Sequence, residues 1–232
     1  MPWEWERPPR VIGHRGSPHE ATENTLASFQ AATRHVRAVE LDARLTADGE
    51  VVVHHDAELG RVVRGVGRVE EMTAEALVAL GIPRLADVLA LGLLVDVEMK
   101  ADASNAAELP ARVHEDVRGA GAQERVLVTS FDWELADAYA GLSGRPAGAI
   151  VPYAPERGEM ESFPRLRFVA LAQDAALPEV IAQLRGEDRD VLVWTVDDPT
   201  AARLHLDRGA AAVITDRPGP LARALRTGAP AG

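Results

Sequence analysis

Short aliphatic runs alternate with longer amphipathic stretches along the chain, the pattern of βα units wound around a mostly parallel sheet. The runs that predict strands are Arg10–Gly13, Ala38–Ala43, Val51–His54, Leu93–Met99, Arg125–Thr129, Ala147–Val151, Arg167–Ala172, Val191–Val196 and Ala211–Thr215. These are nine candidates for the eight places of a closed barrel, so one is auxiliary or misassigned. Helix signals lie between them. Asn24 or Thr25 opens Leu26–Val36, Asp132 precedes Trp133–Leu142, Pro178 precedes Glu179–Arg185, and Asp198-Pro199 precedes Thr200–Leu206. Each start carries a residue that accepts from first-turn N–H groups, or a proline that lacks one. Gly209 follows the Leu204–Arg208 turn as a helix stop, Pro218-Gly219-Pro220 ends the last strand before a final short helix, and Ala229–Gly232 reads as a frayed end.

The repeat is broken once. Ala38 to Val53 leaves no room for a helix, because Asp48-Gly49 is a hairpin-type turn between two strand patterns. After the third strand, Gly60–Ala79 carries Gly65, Gly67 and a Thr73 cap signal, which predicts a short loop and helix inserted over one end of the sheet. The expected fold is therefore α/β, a (β/α)8 TIM-type barrel, as a single domain over residues 1–232.

Composition narrows the functional classes. A chain of 232 residues can bury a substantial core without staples, and it has no cysteine, which excludes disulfides, thiolate metal sites and cysteine nucleophiles. The start Met1–Arg7 lacks a basic head followed by an apolar run. No stretch approaches the roughly 20 apolar residues that cross a bilayer. The expectation is a soluble, cytoplasmic protein without stable membrane insertion. A formal net charge of −11 opposes binding to polyanions, so no nucleic-acid partner is expected.

The candidate chemistry lies where apolar strands end in polar residues, the C-terminal rim of a parallel barrel. These ends are Gly13-His14-Arg15-Gly16, Glu40-Leu41-Asp42, His54-His55-Asp56, Glu98-Met99-Lys100 and Thr215-Asp216. Side chains alternate along a strand, so Glu40 and Asp42 share a face, as do Glu98 and Lys100. Such carboxylates either form solvated ion pairs, Glu98 with Lys100 for instance, or hold a hard cation such as Mg²⁺ or Ca²⁺. His14 and His55 sit at strand-to-loop turns, where imidazoles suited to taking and giving protons favour acid/base chemistry. His54 points away from His55 and is expected to pack or hydrogen-bond. Arg15 and Lys100 add cationic donors that fit phosphate oxygens; the alternative for Arg15 is a salt bridge to one of these carboxylates. No Walker loop, GxGxxG, GxSxG or HExxH is present.

From about residue 10 to 218 these motifs resemble the glycerophosphodiester phosphodiesterase family. The carriers are His14-Arg15-Gly16 with Glu23-Asn24-Thr25-Leu26-Ala27-Ser28-Phe29, then Val39-Glu40-Leu41-Asp42, Asp48-Gly49 and His55-Asp56-Ala57-Glu58-Leu59. Pro83–Leu89, Asp96-Val97-Glu98-Met99-Lys100, Ser130-Phe131-Asp132, Val193–Val196 and Val213–Pro218 follow in the family's order. The resemblance implies a (β/α)8 barrel that cleaves glycerophosphodiesters to glycerol 3-phosphate and an alcohol with one divalent metal. It implies His14 and His55 as the catalytic pair and Glu40, Asp42 and Glu98 as metal ligands. Arg15 and Lys100 would hold phosphate, and Phe131 and Trp194 would line the pocket, unless those aromatics are barrel-end core. The sequence departs where members often carry Arg-Thr-Thr: here Arg61-Val62-Val63 stands, without hydroxyls. The competing readings are a lysophospholipase D or phospholipase D-like lyase on the same scaffold, which needs an apolar rim, and a glycerol-phosphate binding protein without catalysis.

Overall fold

The computed structural model describes residues 2–227, so the expected frayed end at Ala229–Gly232 lies outside the described residues. Among the described residues nine strands form one sheet: β1 (Val11–Gly13), β2 (Ala38–Leu45), β3 (Val51–Val53), β4 (Leu94–Met99), β5 (Val126–Ser130), β6 (Ala147–Val151), β7 (Leu166–Ala172), β8 (Asp190–Trp194) and β9 (Ala212–Thr215). Eight of them run parallel. β1 pairs with β2 through Gly13 and Val39 and with β9 through Gly13 and Thr215, which closes the barrel. β3 is the auxiliary ninth strand. It pairs antiparallel with the end of β2, Leu45 facing Val51, across the Asp48-Gly49 turn, where Gly49 adopts a positive φ of 79°.

Helices α1 (Leu26–Thr33), α2 (Ala74–Ala79), α3 (Leu85–Leu89), α4 (Leu109–Gly119), α5 (Trp133–Ser143), α6 (Pro178–Gly186), α7 (Pro199–Asp207) and α8 (Pro218–Thr227) account for the remaining regular structure, with a few single 3-10 turns. Thr25, Thr73, Asp132 and Asp198 each accept a first-turn N–H through the side chain, as their sequence context predicts. Two expectations are corrected. Helix α1 stops at Thr33 rather than Val36, and Pro218 opens α8 instead of standing in a turn before it, because proline at the first helical turn costs no hydrogen bond. One helix went unread: α4 buries Leu109, Val113 and Val117 at i, i+4, i+8.

Alternation along the strands sorts the core into two parts. Outward residues such as Val95 and Val97 of β4 pack with Leu85, Leu89 and Val113 of the helices. Inward residues, among them Ile12, Leu94, Leu127, Phe168, Ala170 and Ile214, fill the barrel. The N-terminal end of the barrel is plugged by the segment before β1. Trp3 and Trp5 are buried there, with their indole N–H groups donating to the carbonyls of Val126 (3.1 Å) and Arg125 (2.9 Å). With that end sealed, polar inward residues are left to the opposite rim.

Candidate active site

Residues from five strand ends converge at the C-terminal rim. The register of β2 against β4 sets Glu40 beside Asp96 and Asp42 beside Glu98, all four buried. One carboxylate oxygen from each of Glu40, Asp42 and Glu98 can be chosen so that all three lie within 4.8 Å of one another. Lys100 Nζ contacts both Asp42 Oδ1, at 2.7 Å, and Glu98 Oε1. Arg15 Nε lies 3.1 Å from Asp42 Oδ2, while its Nη1 donates to Glu23 Oε1 at 2.9 Å. Four buried carboxylates therefore face two side-chain cations, and the deficit appears in their proton affinities. Burial and repulsion from Asp42 push Glu40 and Glu98 above the ordinary carboxylate range. Burial pushes Asp96 up to about 7, against a hydrogen bond from Thr129. Asp42 alone goes down despite its burial, because Lys100 and Arg15 both lie against it.

The loop after β1 is built to face this cage. Arg15 has φ 50° and Gly16 φ 92°, and a Cβ on Gly16 would lie 2.5 Å from Ser28 Oγ, so only glycine fits. The turn aims the Arg15 backbone N–H at Glu40 Oε2 (3.0 Å). Asn24, also at positive φ, donates its side-chain amide to Asp42 Oδ2 at 2.7 Å.

Both histidines are tethered in the same way. His14 Nδ1 bonds Asp216 Oδ1 at 2.6 Å and His55 Nδ1 bonds Asp56 Oδ1 at 2.7 Å. A carboxylate on Nδ1 fixes the ring and leaves Nε2 for the cavity; His14 Nε2 is 3.9 Å from Glu40 Oε2. Burial lowers the proton affinity of both rings. For His14 the Asp216 bond and the charge of Glu40 outweigh it and the pKa rises, whereas His55 stays below the ordinary value. The His55 side has a further brace. Asp56 Oδ2 accepts from Arg61 Nε (2.6 Å), Arg61 Nη2 donates to Glu23 Oε1 (2.7 Å), and Arg44 donates to the His55 carbonyl.

A cavity of about 220 Å³ opens at this rim, bordered by His14, His55, Arg15 and Lys100 on its polar side. Glu40 and Glu98 also reach it, while Asp42 lies wholly buried behind them. Phe131 and Trp194 form the facing wall, edge to face with centroids 5.9 Å apart. All nine residues singled out in the sequence thus meet in one place. Arg15 and Lys100 stand in both positions weighed for them, paired with cage carboxylates and bordering the cavity. His54 is buried, as its alternation predicts, and its backbone N–H donates to the Asp42 carbonyl. Sequence reasoning gave Asp56, Asp216, Asn24, Glu23 and Arg61 no role in the site, although it read Asn24 as a possible helix cap. All but Arg61 stand inside the motifs singled out above, and that was the available signal.

Comparison with known proteins sets this geometry in a family. The model of the glycerophosphoryl diester phosphodiesterase family matches residues 14–220. The chain belongs to that family. Membership makes it a hydrolase of phosphodiesters. The glycerophosphodiester phosphodiesterase of Caldanaerobacter subterraneus subsp. tengcongensis is 26% identical over 246 residues, covering 94% of this chain and 98% of that protein. Among solved structures, the glycerophosphodiester phosphodiesterase of Thermotoga maritima aligns with a TM-score of 0.78 and 27% identity, covering 92% of this chain and 96% of that one. An Oleispira antarctica phosphodiesterase, solved in complex with the product sn-glycerol-3-phosphate, reaches a TM-score of 0.88 at 24% identity, with 96% and 98% covered. These family folds agree with the closed eight-strand barrel described above.

Proposed function

We propose that the enzyme hydrolyses glycerophosphodiesters to glycerol 3-phosphate and an alcohol, with His14 and His55 exchanging protons beside a divalent cation held by Glu40, Asp42 and Glu98. One observation carries the reading: three buried carboxylates converge within 4.8 Å beside two carboxylate-tethered imidazoles on one cavity. The residues fit a cation. Glu40 Oε1 is buried without a hydrogen-bond partner, Asp42 Oδ1 has only its ion pair with Lys100, and the donor set is all oxygen, which suits Mg²⁺ or Ca²⁺. Such an ion supplies Lewis-acid polarisation of the phosphoryl oxygens when bound.

The remaining work falls to side chains of this chain. Arg15 and Lys100 orient the phosphate and offset its developing charge. One imidazole takes the proton of the attacking oxygen, either water, or the neighbouring glycerol hydroxyl to give a cyclic phosphate that water then opens to glycerol 3-phosphate. The other protonates the departing alkoxide, and Asp216 and Asp56 hold both rings in register. The cavity, smaller than the roughly 300–1,000 Å³ typical for drug-sized ligands, favours a small diester. The product complex of the Oleispira relative supports the same product here.

A second reading, lysophospholipase D activity on acyl-bearing substrates, is favoured by the apolar rim. Phe131, Tyr153 and Leu177 are exposed on the loops that follow the parallel strands β5, β6 and β7, at the catalytic end. The test is hydrolysis of glycerophosphocholine, glycerophosphoethanolamine and lysophosphatidylcholine with EDTA, Mg²⁺ or Ca²⁺. Cation-dependent release of glycerol 3-phosphate is expected. Release of lysophosphatidate instead would give the site to the second reading, and full turnover in EDTA would remove the cation from the mechanism.

The brace on His55 makes a smaller prediction. Arg61 is half-exposed, so Arg61→Met should leave the thermal midpoint nearly unchanged. Turnover should nevertheless fall about tenfold, the scale on which groups orienting an active residue act. Arg61→Lys should recover part of the loss; steady-state kinetics beside a melting curve would separate this from a folding defect.

A further inference from the structure

Asp96 is a buried carboxylate for which the mechanism above has no use. It is 1% exposed, Thr129 donates to its Oδ1 at 2.9 Å, and its Oδ2 has no hydrogen-bond partner. An orphaned carboxylate oxygen in a barrel interior is costly, so its presence calls for a partner that arrives with a ligand. The cation cage does not supply that partner, since the converging oxygens come from Glu40, Asp42 and Glu98.

Position along the strand says what could. Asp96 precedes Glu98 by two residues on β4 and faces the same way, about 6–7 Å further down the strand and level in register with Glu40. It borders the same cavity as the two histidines. Its neighbours on the cavity are Glu40, Thr129 and the apolar side chains Ile150, Ala170 and Ile214. Below them Phe168 packs edge to face on Trp3, closing the floor. With Glu40 given to the cation, the floor is an otherwise apolar slot with one acceptor left over, Asp96 Oδ2. A group that fits it has a short carbon skeleton to lie on Ile150 and Ile214 and a hydroxyl to donate to Oδ2.

We propose that this slot takes the glycerol end of the substrate and that Asp96 Oδ2 accepts one of its hydroxyls, which makes Asp96 a specificity-determining residue. The inference rests on the phosphodiesterase reading of the site. With the phosphate held at the level of Arg15 and Lys100, the invariant glycerol enters the closed floor and the alcohol, which can differ in size, leaves through the open mouth beside Phe131. Asp96 acts on recognition of the hydroxyl rather than on the phosphorus.

The test uses the full-length enzyme with cation and two esters of equal carbon count, glyceryl p-nitrophenyl phosphate and n-propyl p-nitrophenyl phosphate. The wild-type enzyme should prefer the glyceryl ester. Asp96→Leu should reduce that preference, read as the ratio of the two kcat/KM values, about 10- to 100-fold, the range for hydrogen bonds to charged groups. Asp96→Asn keeps the volume and a partner for Thr129. It should reduce the ratio in the same direction by less, and it guards against a folding defect in the leucine variant. An unchanged ratio in both variants, or an equal loss on both esters, would overturn the inference while leaving the phosphodiesterase reading intact. A wild-type enzyme inert towards both esters would overturn that reading, and this inference with it.

Discussion

His14→Ala and His55→Ala should each lower turnover of a glycerophosphodiester about a hundredfold or more, the scale of general acid/base catalysis. The expectation comes from how the rings are held rather than from their presence. Each Nδ1 is engaged by a carboxylate at 2.6 or 2.7 Å, so each ring has one nitrogen left to work with. Both rings border the cavity that Arg15 and Lys100 also reach. Under the proposed mechanism two proton transfers need two imidazoles, and the double variant should lose little more than the worse single one, because residues that act as a unit are not additive. Folding is a poor alternative explanation for His55, whose side chain is 34% exposed. Steady-state kinetics with saturating cation decides the matter. Full activity in either single variant would end that histidine's role in proton transfer.

Much of this arrangement was legible in the chain because barrel strands announce themselves twice. Their aliphatic runs mark the strand, and a polar residue inside the run marks the functional end. Leu94-Val95-Asp96-Val97-Glu98-Met99-Lys100 is the clearest case: the period of two puts Leu94, Asp96, Glu98 and Lys100 on one face, and that face points into the barrel. The surplus ninth strand resolved into the antiparallel β3 because the Asp48-Gly49 turn leaves no crossover. Less legible was anything that depends on closure. Asp216 lies 202 residues from His14, and only the pairing of β9 with β1 brings the two together. Arg61 reaches Glu23 across 38 residues, joining two loops that sequence spacing does not relate. Helix α4 hid for a local reason: Pro110 stands at its start, and the stripe of Leu109, Val113 and Val117 is thin among charged residues. The two tryptophans before β1 carried no period at all, and their burial follows from the open end of the barrel that they fill.

The cage makes the other large prediction, in which stability and function move in opposite directions. Glu98→Gln should raise the thermal midpoint of the enzyme in EDTA while removing most of its response to Mg²⁺ or Ca²⁺. Burial and the charge of Asp42 already disfavour an ionised Glu98, and Lys100 offsets only part of this. A neutral amide removes that repulsion, and Lys100 keeps Asp42 at 2.7 Å. The same loss of charge weakens the oxygen set that would hold a divalent ion. If the cage binds a cation as proposed, cation at a hundred times its Kd should stabilise the wild-type folded state by about 2.7 kcal/mol. For a chain of this length that corresponds to a rise of about 5–10 °C, and in the variant the rise should shrink to a degree or two. Thermal melts across a cation titration read both effects at once. A lower midpoint in EDTA together with an undiminished rise would make Glu98 the structural partner of Lys100 and take it out of the cation site.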